Sequence, residues 1–261
     1  ARLFAATPQR AATILALPTH LAYEHRAYAA YGDNAHILWM DTPLDMGPRL
    51  FAGTFSPDLI ALTGPIPLSR EVTYDYAATR LADGALQIVW TSGFAGEPSL
   101  HTNIIDGQGR PGFTERVAER VQHPALVTDG EGNVWLFWLW DGDLLRGRLV
   151  GTVIENPVVI GPDVNLQPGD YLDAFYAAMD ETHTYVFWQI SRADARWEAW
   201  WASGDKASDS WSLPQRLTFS QDEENTVQTG FNSGTVYAAS NSDTRRSLTL
   251  VSLARPLLGQ H

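Results

Sequence analysis

Three carboxylates and two imidazoles have the types and places in this chain to do chemistry: Glu24, Asp75 and Asp173, with His25 and His123. Two carboxylates facing a shared cavity can serve as acid and base on opposite sides of a sugar bond. Counting back by two-residue strand alternation from the triplets Tyr28-Ala29-Ala30, Tyr76-Ala77-Ala78 and Tyr176-Ala177-Ala178 puts His25, Asp75 and Asp173 on a common face. The catalytic candidates are therefore Asp75 and Asp173, with Glu24 as a reserve carboxylate. The competing structural reading is a lining of polar groups satisfied by water and backbone. Trp197, Trp200, Trp201 and Trp211 form the densest aromatic cluster. Alternation sets Trp197 and Trp201 on one face, where they can act as a stacking platform, against the reading that they pack between neighbouring sheets. The ligand-binding set is His25, Asp75, His123, Asp173, Trp197 and Trp201.

Other chemistries have little to stand on. The chain has no cysteine, so disulfides, thiolate nucleophiles and cysteine zinc sites are excluded. The seven histidines are scattered without an H-x-H or H-E-x-x-H pair. The loop Asp129-Gly130-Glu131-Gly132-Asn133 carries Trp140 where a calcium loop needs its distal carboxylate, and reads as a turn. No hydrolase elbow, phosphate loop or dinucleotide fingerprint occurs, and no metal or cofactor is expected. The net charge of -12 repels a phosphate backbone, so nucleic acid is not an expected partner. The longest apolar run near the start, Ala11 to Leu17, is far short of the roughly 18–20 residues that span a bilayer. Membrane insertion by these residues is not expected, although an anchor can lie outside them. A start at Ala1 rather than Met is what a processed ectodomain has, and the expected location is secreted or extracytoplasmic.

The elements that must position these residues repeat. An apolar pair followed by Trp occurs at Ile37-Leu38-Trp39, Ile88-Val89-Trp90, Leu136-Phe137-Trp138 and Val186-Phe187-Trp188, and a fifth copy ends at Ala239 in place of Trp. The spacings are 51, 48, 50 and 51 residues. Each copy follows a turn pair: Asp33-Asn34, Asp83-Gly84, Gly132-Asn133, Glu181-Thr182 or Ser233-Gly234. An inner strand precedes each turn. Third strands are expected at residues 49–55, 100–105, 144–150, 196–202 and 247–253, and outer strands, marked by a proline or an aromatic, at 66–68, 113–117, 157–160 and 211–217. Four antiparallel strands in each repeat of about 50 residues make a propeller blade.

The fold expected is therefore all-β, a five-bladed β-propeller in one domain of 261 residues. Its blades fall near residues 17–69, 70–120, 121–168 and 169–219, and the last combines 220–261 with 1–16. Thr7-Pro8-Gln9-Arg10 echoes Leu213-Pro214-Gln215-Arg216 of the fourth unit, so the N-terminal strand is expected to complete the last blade. One end of the blades carries the long, irregular loops, which is where binding is expected. Its acids Asp41, Asp45, Asp163, Asp170, Asp222, Glu223 and Glu224 read as a solvated anionic surface.

The run His123-Pro124-Ala125-Leu126, Asp129 to Asn133 and Trp138 resembles repeats of the sialidase-like (neuraminidase, Asp-box) propellers. Ser203-Gly204-Asp205 with Trp211 resembles their Asp-box, with Ala207 where Gly is expected and the Trp one residue late. The resemblance implies a propeller fold. The catalytic sialidases of that family use an arginine triad, a Tyr-Glu pair and an Asp. Tyr23-Glu24 with Arg26, Arg70 and Arg120 lack the surrounding motifs, so the activity is not carried over. The expected function is a non-catalytic extracytoplasmic propeller that binds a glycan or protein through its variable loops. The alternatives are a glycoside hydrolase using Asp75, Asp173 and Glu24, and a scaffold subunit of a larger assembly.

Overall fold

The computed structural model describes residues 34–216 with side chains, apart from 44–45, 59, 95, 141–142, 161–165, 173–174, 194–197 and 207–209. The strands at residues 173–174 and 197, and those before 34 and after 216, are described by backbone alone. After a hairpin of β1 (Arg2–Thr7) and β2 (Arg10–Ala16) come five antiparallel sheets. The first holds β3 (Ala22–Ala29), β4 (Ala35–Asp41), β5 (Arg49–Phe55) and β6 (Ile66–Pro67). The second holds β7 (Thr73–Arg80), β8 (Leu86–Ser92), β9 (Ser99–Ile105) and β10 (Glu115–Glu119). The third holds β11 (Gln122–Thr128), β12 (Val134–Trp140), β13 (Asp143–Val150) and β14 (Val153–Val159). The fourth holds β15 (Tyr171–Met179), β16 (His183–Ser191), β17 (Trp197–Asp205) and β18 (Gln215–Arg216). The fifth holds β19 (Thr226–Asn232), β20 (Thr235–Asn241) and β21 (Arg246–Ser252). In every sheet the strands pair in chain order, which is the construction of a propeller blade. The chain forms two compact units, residues 1–140 with 147–157, and residues 141–146 with 158–261.

The periodic tryptophans lie in the second strands and are buried: Trp39, Trp90, Trp138 and Trp188 are each at most 4% exposed. Trp39 stacks on its cross-strand partner Phe51 at 5.9 Å, and Trp90 on His101 at 5.7 Å. Alternate residues face the next sheet. Leu38, Met40, Leu50 and Ala52 of the first sheet pack with Tyr76, Leu86, Ile88 and Trp90 of the second, forming a core between blades. Each such side chain, once buried, contributes about 1.5–3 kcal/mol, which is why an aromatic period holds sheets face to face.

The inner turns are built around aspartates. Asp129 accepts from the backbone N–H groups of Glu131 and Asn133, and from Trp135 Nε1 at 2.9 Å. Asp180 accepts from the N–H groups of Thr182 and His183 and from the Tyr185 hydroxyl. Such bonds imitate a backbone turn and fix where each second strand starts.

Several boundaries differ from the sequence expectation. β14 begins at Val153, four residues ahead of the proline taken to mark it. The strand expected over 211–217 shrinks to Gln215–Arg216, because Trp211 bridges to Gly204 instead and Pro214 cannot donate to a ladder. The Tyr-Ala-Ala triplets are not equivalent: Tyr28 lies opposite His36, Tyr76 opposite Trp90, and Tyr176 opposite Phe187. At the N-terminus, Arg2–Thr7 pairs with Arg10–Ala16. Among the described residues no helix is long and apolar enough to cross a membrane.

One histidine is built into the core and a second, His101, is half-buried. His36 is 1% exposed, its Nδ1 2.8 Å from Thr54 Oγ1, and burial holds its pKa below the ordinary imidazole value. Burial lowers His101 in the same way. The unfolded chain therefore binds protons below about pH 6.5 that the folded chain refuses, so stability falls as pH drops through that point. The melting temperature is expected to decline from pH 7 to pH 5, before carboxylates titrate. His36→Gln should flatten that decline; an unaltered slope would show that these imidazoles are not its cause.

Candidate functional site

The first strand of each of the first four sheets is interrupted. β3 shifts register against β4 between Tyr23 and Arg26, β7 against β8 between Thr73 and Asp75, β11 against β12 between Gln122 and Ala125, and β15 against β16 between Leu172 and Ala174. A bulge of this kind places two residues opposite one and re-aims a side chain. All five titratable residues singled out in the sequence fall at these breaks. Glu24 and His25 are within the first, Asp75 closes the second, His123 is in the third and Asp173 in the fourth. Strict alternation fails at a bulge, so the common face inferred for His25, Asp75 and Asp173 does not follow from counting. The side chains of Glu24, His25, Asp173 and Trp197 lie outside the described residues.

Asp75 and His123 are brought together. His123 Nδ1 lies 3.3 Å from Asp75 Oδ2, with side chains 24% and 27% exposed respectively. Asp75 Oδ1 accepts the backbone N–H of Tyr76 at 2.7 Å, and its carbonyl faces the Thr91 hydroxyl. Nδ1 makes no directed hydrogen bond, so the two side chains are held in contact by backbone placement. His123 has φ 47°, a left-handed conformation that costs a residue with a Cβ about 1–3 kcal/mol. At the other end of the same two inner strands the hydroxyls of Thr79 and Thr128 meet at 2.8 Å.

The loops at the Asp75 end are anchored closely. Thr73 N–H donates to Pro48 carbonyl, and the Thr73 hydroxyl to Ser69 Oγ at 2.7 Å, which in turn accepts Leu50 N–H. Arg120, also left-handed at φ 58°, bonds Glu97 at 2.7 Å and so links the β8–β9 loop to the segment entering His123. Of the arginines considered for a sialidase triad, Arg120 is thus engaged in a structural bridge. Arg26 lies outside the side-chain description.

The fourth sheet carries a charge network across its strands. Arg192 Nη1 pairs with Asp170 Oδ2, while its Nε and Nη2 bind Glu198 Oε2 at 2.9 and 2.7 Å. Glu198 also accepts from Trp200 Nε1 at 3.1 Å and lies 3.5 Å from Arg216 Nη1. Backbone donation from Gln167 and the Arg192 guanidinium hold Asp170 below the usual carboxylate range, and Arg192 outweighs burial to do the same for Glu198. Asp170, with a side chain 3% exposed, and the buried Asp41 correct the expectation of a solvated acidic face. Asp45, Asp163, Asp222, Glu223 and Glu224 lie outside the described residues. Trp201 is half-buried and pairs with Phe187 across the ladder, whereas Trp200 turns to Glu198, as alternation requires.

Two site features were missed in the sequence: the bulges, whose one signal was the His123-Pro124 step that removes a ladder donor, and the exposed rings of Tyr74 and Phe94. Among the described residues no group of three or more His, Asp or Glu could hold a metal ion.

No protein-family model and no curated protein sequence matches the chain. Solved structures do match it by fold. An endo-arabinase from Bacteroides thetaiotaomicron is 14% identical with a TM-score of 0.52, covering 85% of this chain and 90% of its own. The GH43_1 enzyme from Xanthomonas citri, complexed with xylotriose, is 12% identical with a TM-score of 0.56, covering 93% and 90%. A GH43 β-xylosidase/α-arabinofuranosidase from a compost microbial metagenome is 12% identical with a TM-score of 0.55, covering 92% and 93%. At these identities the likeness shows the fold alone: an all-β, five-bladed propeller of antiparallel four-stranded blades. None of the three is described as a sialidase, so the resemblance seen in the repeats reaches the propeller and no further.

Proposed function

We propose that this chain is a carbohydrate-active propeller, a glycoside hydrolase whose carboxylates stand at the bulges of its inner strands. The observation that carries the reading is the coincidence of those bulges with Glu24, Asp75, His123 and Asp173, together with the strained His123 held against Asp75. Bulges and left-handed residues of this kind concentrate where a fold places reactive groups. Glycoside hydrolysis needs one carboxyl group to protonate the leaving oxygen and a second to activate water or attack the sugar carbon. Asp75 has one oxygen fixed by the Tyr76 N–H and the other turned to His123, an arrangement that orients a carboxylate. Glu24 is the partner proposed for it, and Asp173 remains a candidate carboxylate at the bulge of the fourth sheet. The fold is one that an arabinase and two GH43 enzymes share, which favours hydrolysis over the non-catalytic binding expected from the absence of motifs.

A glycan-binding propeller without turnover is the second reading. What favours it is that the side chain brought against Asp75 is the imidazole of His123. A panel of aryl arabinofuranosides, xylosides and galactosides separates the two. The hydrolase reading expects turnover that Asp75→Asn lowers by about 10²–10⁴-fold. Glycan binding with no turnover on any member would transfer the case to the second reading. Silence in both assays would leave the scaffold role.

A further inference from the structure

At the same end of the β7–β8 hairpin as Asp75 are two exposed aromatic residues that neither the core nor the ion pairs use. Tyr74 is the residue left over by the β7 bulge; it is 43% exposed, and its hydroxyl donates to the Gly93 carbonyl at 2.9 Å. Phe94 follows Gly93 and is 88% exposed. It is presented by a turn in which the Glu97 N–H donates to the Phe94 carbonyl at 3.2 Å, and Glu97 is itself fixed by Arg120. Phenylalanine is among the residues most often buried, yet here a tether, a turn and an ion pair all hold the segment that displays it. Exposed ring faces at the strand end that carries Asp75 suit a sugar, whose C–H face is apolar and whose rim is hydroxyl.

We propose that Tyr74 and Phe94 form a stacking subsite for a sugar ring of a glycan chain, next to Asp75. The inference rests on the carbohydrate reading above and names two residues that select the glycan. The tether matters as well as the ring: without its bond to Gly93, Tyr74 would sample rotamers, and ordering it on binding would cost affinity.

Titration calorimetry with xylotriose and arabinotriose, in the Asp75→Asn background so that nothing is turned over, tests it. Phe94→Ala and Tyr74→Ala should each weaken binding about fivefold. Tyr74→Phe, which keeps the ring and loses the tether, should weaken it about twofold. Melts of each variant confirm folding, and Phe94→Ala removes a ring that supports no core. Unchanged affinity in Phe94→Ala and Tyr74→Ala overturns the subsite, as does the failure of both trisaccharides to bind the parent. Hydrolysis of small aryl glycosides and its loss in Asp75→Asn are read independently, so the subsite can fail while the hydrolase reading stands, and the reverse.

Discussion

Arg192→Ala destabilises the chain by about 3 kcal/mol, read as a drop in the urea midpoint with an unchanged slope. The size follows from what the substitution leaves behind. Arg192 serves Asp170 and Glu198 together, and both carboxylates have side chains less than 10% exposed. Removing one partner of a buried pair costs far more than removing the pair, because the remaining charge stays out of water. Glu198 keeps Trp200 Nε1 and Arg216, whereas Asp170 keeps only the backbone donors of Gln167 and Ala193 among the bonds described here. Arg192→Lys should recover part of the loss, since an ammonium restores charge but not the fork that reaches two carboxylates. Combining Arg192→Ala with Glu198→Gln should cost less than the sum of the two changes. Strict additivity would mean that the network carries no coupling.

Gly109→Ala is the second large effect, at about 3 kcal/mol, from two separable causes. Gly109 has φ 86°, where a Cβ is strained. A Cβ there would also press on Thr54 Oγ1 and lie 2.9 Å from the Thr63 methyl. Thr54 has nowhere to go: it is 1% exposed, its hydroxyl meets His36 Nδ1, and its N–H donates to Thr63 Oγ1. The Asp106 turn that carries Gly109 is itself fixed by N–H donation from Gln108 and Arg110 to the Asp106 carboxylate. Adding Thr54→Ala to Gly109→Ala should relieve only the contact with the hydroxyl, because the Cβ of residue 54 stays 2.7 Å from the new Cβ, and so should return less than half of the loss. Gly130→Ala, with nothing within 4 Å, is the control and should change the melt little. Equal effects at the two glycines would refute the packing account.

The fold was legible because it rests on a repeated, local signal. A tryptophan that must be buried between sheets recurs at the pitch of one blade, and aspartates or glycines that start each second strand precede it at fixed distance. The candidate site was less legible. Alternation is a reliable guide along an unbroken strand, but Asp75, His123 and Asp173 stand where the ladder takes in an extra residue, and only at His123-Pro124 does residue type announce the bulge. Asp170 was hidden for a different reason. A carboxylate in a loop reads as solvated until its partner is known, and Arg192 is 22 residues away. Phe94 read as part of an irregular loop, because exposure of an apolar ring is a property of the folded chain rather than of its sequence.

The chain-order pairing of every sheet has a kinetic consequence. Each strand's partner is the one just made or the next to be made, and the aspartate turns close hairpins over a few residues. Loop-closure entropy is then small at each step, and hairpins form in about 1–10 μs, long before the next strand is synthesised. A nascent chain can therefore complete one sheet while the following one is still in the ribosome, so that each finished blade offers its aromatic face as the template on which its successor docks.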